Sequence, residues 1–138
     1  MEIILAPDVF VNASVALGSP PEAVVQRVLG KDDVRAVSSE WILGRVRQMF
    51  SAMPEFKDDA VIAQMDLISG LVEVVDAEGE FGPEAWEEAL VAVAKKASVT
   101  RVVTDHPDLL EMEDSDGVEF MSTEAWMIEV TTPPPPPE

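Results

Sequence analysis

Two short apolar runs, each breaking into a polar turn, do most to restrict what this chain can fold into. The first is Ile3-Ile4-Leu5-Ala6-Pro7-Asp8 and the second is Arg101-Val102-Val103-Thr104-Asp105-His106-Pro107-Asp108. Each reads as a strand ending in a turn. In an open parallel sheet, ligands and metals gather outside the carboxyl ends of the strands, so residues 6–8 and 104–108 are placed to share one site. The supply of ligands there is uneven. The first turn offers only Asp8, and the second offers Asp105 and Asp108 with a histidine and a proline.

Strand and helix signals alternate along the rest of the chain. Strands are expected at 2–6, 34–37, 72–75, 101–104 and 118–121. Helices are expected at 9–17, from Ser19-Pro20 to Gly30, from Ser38-Ser39-Glu40 to Met49, from Pro54-Glu55 to Leu71, at 85–97, in a short turn at 107–112, and after Ser122-Thr123-Glu124. Ile42, Leu43 and Val46 recur at helical spacing, as do Ala60, Ile62, Met65, Ile68 and Leu71, and Trp86, Leu90, Val93, Ala94 and Ala97. Residues 111–117 read as an acidic loop. Helices between most strands predict an α/β protein, a three-layer α/β/α sandwich around a mainly parallel central sheet. With 138 residues one domain is expected, over 1–130, followed by a proline-rich tail at 131–138 that favours extended polyproline geometry.

Composition removes several function classes. No cysteine is present, which excludes disulfides, thiolate zinc sites and cysteine nucleophiles, and a single histidine excludes His-rich metal sites. Aromatic residues make up 6% of the chain, with no tyrosine, which suits an aliphatic core better than a base-stacking surface. No apolar run approaches the roughly 20 residues of a membrane span. Met1-Glu2 leads straight into a strand without a secretory leader pattern, so a cytoplasmic location and no membrane partner are expected. The net charge is −18, from 27 acids against 9 Lys plus Arg. Nucleic-acid affinity rests largely on neutralising phosphates, so RNA is a disfavoured partner. Arg27, Lys31 and Arg35 fall close together and would form a modest patch or compensate a helix dipole.

Three segments in this order resemble those of the PIN-domain family, nuclease-like domains of toxin–antitoxin pairs and RNA processing, and its single-domain bacterial subgroup above all. Ile3–Ala13 is similar to the family's strand "ILLDTNVLVSA", Val37–Val46 to "VSEEILAELREV", and Val102–Leu110 to "LVTGDKDLL". The Gly18-Ser19-Pro20-Pro21-Glu22 loop adds to the match, and the resemblance runs from Glu2 to about Val130. It implies a PIN-like α/β/α fold and, in active members, one or two divalent metals held by carboxylates that activate a water for phosphodiester hydrolysis.

Carried onto this sequence, most of the family's acid positions change. Ala6 stands where the first aspartate belongs, and Asp8 where an asparagine usually stands. The helix glutamate aligns with Arg45, and the acid before the fourth strand with Glu88, close to Glu84 and Glu87. His106 takes the first aspartate of the last motif, and Asp108 matches the second. Replacing a carboxylate by a cation at about 4 Å turns an attraction of ~4 kcal/mol at an effective dielectric of 20 into a repulsion of similar size. The resemblance thus implies a vestigial site of Asp8, Arg45, Glu88, His106 and Asp108, with the Arg45 guanidinium expected to pair with Asp8, Glu88 or Asp108 in place of a metal, or else to point to solvent beside Arg47. No cofactor is then expected, and the chain would act by protein–protein interaction or regulation. The alternative is a Mg²⁺- or Mn²⁺-dependent endoribonuclease using Asp8, Glu88, Asp105 and Asp108.

His106 would be a ligand or general base, or simply a turn residue before Pro107. Asp105 and Asp108 would cap the short helix that follows, and Glu40 its own helix. Trp41, Trp86 and Trp126 are expected to pack in a core or an interface. The Met-rich stretch of Trp41, Met49, Phe50, Met53 and Phe56 suits a homodimer or partner contact and would equally serve as buried core. The acidic surface suits a basic protein partner.

Overall fold

A computed structural model describes residues 1–30, 34–77 and 79–131. Lys31 and the prolines of the expected tail lie outside them. The six strands are β1 (Glu2–Leu5), β2 (Arg35–Ser38), β3 (Val72–Val74), β4 (Arg101–Val103), β5 (Asp114–Ser115) and β6 (Val118–Met121). The helices are α1 (Pro7–Val15), α2 (Pro20–Gly30), α3 (Glu40–Ser51), α4 (Asp58–Leu71), α5 (Trp86–Ala97), α6 (Pro107–Met112) and α7 (Thr123–Thr131).

The strands form one sheet in the order β3-β2-β1-β4-β6-β5. All pairs are parallel except β5 with β6. Chain order runs outward from β1 to β2 and β3 on one side, and from β4 to β6 on the other. The switch point therefore falls between β1 and β4, where Leu5 is in register with Val103. This crevice is where such a sheet offers a site, and Asp8 meets Thr104 and Asp105 there.

Both sheet faces and the inner helix faces build one aliphatic core. Ile3, Ile4, Leu5, Val37, Val102 and Val103 are at most 1% exposed, as is Trp126 of α7. α3 starts because Ser39 is extended and its hydroxyl accepts from the Ile42 N–H at 3.3 Å. Glu40, read as a cap, is instead the first helical residue. Ile42, Val46 and Phe50 then bury one stripe at a spacing of four residues.

Phe50 meets Phe56 at a tilt with ring centroids 4.8 Å apart, and Trp41, Met49, Met53 and Phe56 pack against the core. Of the Met-rich stretch, Phe50 is buried and the other four side chains are partly buried. α4 departs from expectation by one position. Val61, Met65 and Ile68 face inward while Ile62 is 60% exposed. It also begins at Asp58, with Lys57 as its N-cap, rather than near Pro54.

The supposed acidic loop at 111–117 holds a hairpin. Asp116 (φ 52°) and Gly117 (φ 85°) both occupy the left-handed region, as a two-residue type I′ turn requires, and Ser115 pairs with Val118 across it. Arg35 lies on β2 rather than at a helix end, and it pairs with Glu73 of β3 at 3.1 Å. No described helix is long and apolar enough to cross a membrane.

Candidate functional site

The site is built from the ends of β1 and β4. After β1, Ala6 serves as the N-cap of α1 without a side-chain hydrogen bond, and Pro7 sets the first turn. The helix begins one residue past the sheet. Asp8 therefore sits in the first turn of α1, at the positive end of the helix dipole, and is turned inward to 9% exposure.

Both of its oxygens are occupied. Thr104 Oγ1 donates to Oδ1 at 2.8 Å, and the Asp105 N–H donates to Oδ2 at 2.8 Å. Burial pushes the Asp8 carboxyl above its ordinary value of 3.8. The bonds from Asp105 N–H and Thr104 act downward, and the Asp105 charge adds to the rise.

The remaining groups extend this network away from the crevice. The His106 N–H donates to Thr104 Oγ1 at 3.0 Å, so the threonine hydroxyl links the His106 amide to Asp8. His106 is the N-cap of α6: its Nδ1 accepts from the Asp108 N–H at 3.2 Å. The helix cap is thus His106 itself, not Asp105 or Asp108. Asp105 turns toward α7, where its Oδ1 accepts from the Thr123 N–H at 3.0 Å and its Oδ2 from Thr123 Oγ1 at 2.7 Å. Asp108 and Glu88 are exposed. Glu87 accepts from Ser115 Oγ, which aims it at the β5 hairpin.

Aromatic rings cluster on His106. Trp86, 8% exposed, packs against His106 with ring centroids 4.9 Å apart. Trp41 meets Trp86 edge to face at 6.0 Å, and its indole N–H donates to the Gly82 carbonyl at 3.0 Å. Arg45 departs from expectation. Its Nη1 donates to Gln48 Oε1 at 3.4 Å, and it forms no ion pair with Asp8, Glu88 or Asp108 among the described residues. It lines a shallow recess with Glu40, Trp41 and Phe81.

The donor set does not fit a divalent metal. Among the described residues no three Asp, Glu or His side chains converge to hold one. Asp8 and Asp105 are neighbours, but each spends both oxygens on protein donors. Of the residues singled out from sequence, the fold brings together Asp8, Asp105 and His106. It leaves Glu88 and Asp108 on the surface and Arg45 on α3 beside Gln48.

Sequence reasoning missed Thr104 and Thr123 as bonding partners. The signal lay in Thr104-Asp105-His106, a threonine two residues before an amide it can accept from. A larger cleft of about 400 Å³ was also missed. It opens beyond Trp41, between the start of α3 and the chain leaving β3.

The sequence matches no protein-family model and no curated protein. Solved structures do resemble the fold. VapBC2 from Rickettsia felis, crystallised with a DNA fragment from its promoter, superposes with a TM-score of 0.65 at 11% identity, covering 88% of this chain and 98% of that one. VapBC-1 from nontypeable Haemophilus influenzae gives 0.61 at 10% identity over 90% and 99%. Mycobacterium tuberculosis VapC20, described as a toxin that cleaves the sarcin-ricin loop, gives 0.57 at 14% over 85% and 98%. These likenesses join the β3-β2-β1-β4-β6-β5 sheet and its switch-point crevice in one statement of architecture: the chain has the PIN-like α/β/α fold.

Proposed function

We propose that this chain is a PIN-fold domain that has given up metal-dependent hydrolysis and acts by binding a protein partner. One observation carries this reading. At the crevice where carboxylates would have to face a metal, Asp8 and Asp105 are tied inward by Thr104, the Asp105 amide and Thr123. A carboxylate already accepting two strong hydrogen bonds gives them up only at a cost of about 1.5–3 kcal/mol each.

The fold neighbours VapBC2 and VapBC-1 are two-component assemblies by name, which supports a protein partner here. A charge of −18 favours a basic protein over a second copy of this chain, since like-charged copies repel. RNA is disfavoured on the same ground.

The competing reading, a Mg²⁺- or Mn²⁺-dependent endoribonuclease using Asp8, Glu88, Asp105 and Asp108, is supported by the description of VapC20 as a cleaving toxin. A gel assay on single-stranded and structured RNA with each metal separates the two. The binding reading expects intact RNA in every lane. Cleavage by the parent chain that disappears in Asp8→Ala would reverse the assignment.

A further inference from the structure

We propose that the free edge of β3 and the cleft beside it take up an extended basic segment of a partner protein as an added strand. The proposal rests on the reading of the chain as a binding domain and names where the partner docks.

β3 ends the strand order, so among the described residues no strand lies on its outer side. The Val75 N–H donates to the Ser38 carbonyl at 2.9 Å, toward the sheet. Bonding direction alternates along a strand, which turns the N–H and C=O of Val74 outward. Val74 is itself 46% exposed.

The other margin of the sheet is guarded differently. β5 is only two residues long, and Glu113 and Asp114 stand at it, while Asp116 is paired with Lys95 at 2.6 Å. Short edges flanked by charge resist pairing. On β3 the one charged residue, Glu73, is already neutralised by Arg35 at 3.1 Å.

The chemistry of the cleft decides the occupant. Its roughly 400 Å³ are lined by Val74 and Asp76 on the β3 side and by Glu40, Trp41 and Phe81 opposite. An added strand directs alternate side chains to one face. A lysine or arginine entering here lays its aliphatic stem along Trp41 and Phe81 and brings its charge to Glu40 and Asp76. Among the described residues no cation lines the cleft. The net charge of −18 steers a basic segment toward the molecule and an acidic one away.

The test titrates the full isotope-labelled chain with a short peptide alternating valine and arginine. Binding with slowed amide exchange at Val74 is expected, and the same peptide N-methylated at alternate residues should bind about tenfold more weakly, the loss expected for one or two backbone hydrogen bonds. Val74→Pro should weaken binding similarly, and the N-methylated peptide keeps the test valid if that variant does not fold. A Glu40→Gln/Asp76→Asn double variant should bind more weakly with a flatter salt dependence. Equal binding of the N-methylated peptide, equal binding of a glutamate-for-arginine peptide, absent binding, or binding that leaves Val74 exchange unchanged would each overturn the edge proposal. With RNA uncleaved, those outcomes leave the binding-domain reading standing, whereas cleavage lost in Asp8→Ala removes that reading whatever the peptide does.

Discussion

The crevice between β1 and β4 and the margin of β3 lie at the same carboxyl end of the sheet, yet their polar groups are in opposite states. In the crevice, Asp8, Thr104, Asp105, His106 and Thr123 spend their hydrogen-bonding capacity on one another. At the margin, the Val74 backbone, Glu40 and Asp76 face a cleft and solvent. A satisfied buried network holds a structure together and has little left to offer a ligand. An unsatisfied, accessible set contributes little to stability and is available to bind. Substitutions should therefore cost stability in the crevice and spare it at the margin.

The largest effect is expected from Trp86→Ala. Its ring separates Trp41 from His106 and is nearly buried, so urea unfolding should show a loss of about 3–5 kcal/mol. A loss below 1 kcal/mol would show that the ring cluster does not hold this end of the molecule. Asp8→Ala comes next, at about 2–3 kcal/mol by the same measurement, because it orphans the Thr104 hydroxyl and the Asp105 amide. Thr123→Val keeps the backbone bond to Asp105 and removes the hydroxyl one, for about 1–2 kcal/mol.

The sign of the pH dependence follows from the upward displacement of the Asp8 carboxyl by burial. Between its ordinary value and the higher folded one, the folded chain holds the extra proton more tightly than the unfolded chain. Its contribution to stability is therefore fully present below the ordinary value and is lost as pH rises through the folded one. Asp8→Asn should flatten that segment of the stability–pH curve while keeping an acceptor for the Asp105 amide; a curve that stays as steep would place the titration on another group. The smallest effect belongs to the margin. Glu40→Gln and Asp76→Asn should each change unfolding free energy by no more than about 0.5 kcal/mol. A larger loss at either would mean that the cleft is structural and that the contrast between the two regions fails.

Much of this architecture was legible in the residues. The apolar runs at 3–5 and 101–103 and the helical stripes of α3 and α5 follow from local spacing, and the shared position of residues 6–8 and 104–108 follows from the strand-end rule. The β5–β6 hairpin was legible too, in Asp116-Gly117, but the surrounding acids drew the reading toward a loop. The inward face of α4 was not, because Val61 and Ile62 are adjacent and equally apolar. Only the packing against α3 and the sheet decides which of them is buried.

By itself the sequence determined the alternation of strands and helices, the strongly acidic charge, the absence of thiol chemistry, and the presence of Ala6, Arg45 and His106 at their positions. These are properties of residue type and of spacing along the chain. Tertiary structure alone decided that Asp8 and Asp105 turn inward, that Arg45 stays with Gln48, and that β3 rather than a longer strand is left at the margin. Asp8 and Thr104 are 96 residues apart in the chain, and the edge of the sheet is set by strand order. A hydrogen bond or a free edge of that kind exists only once the sheet has assembled.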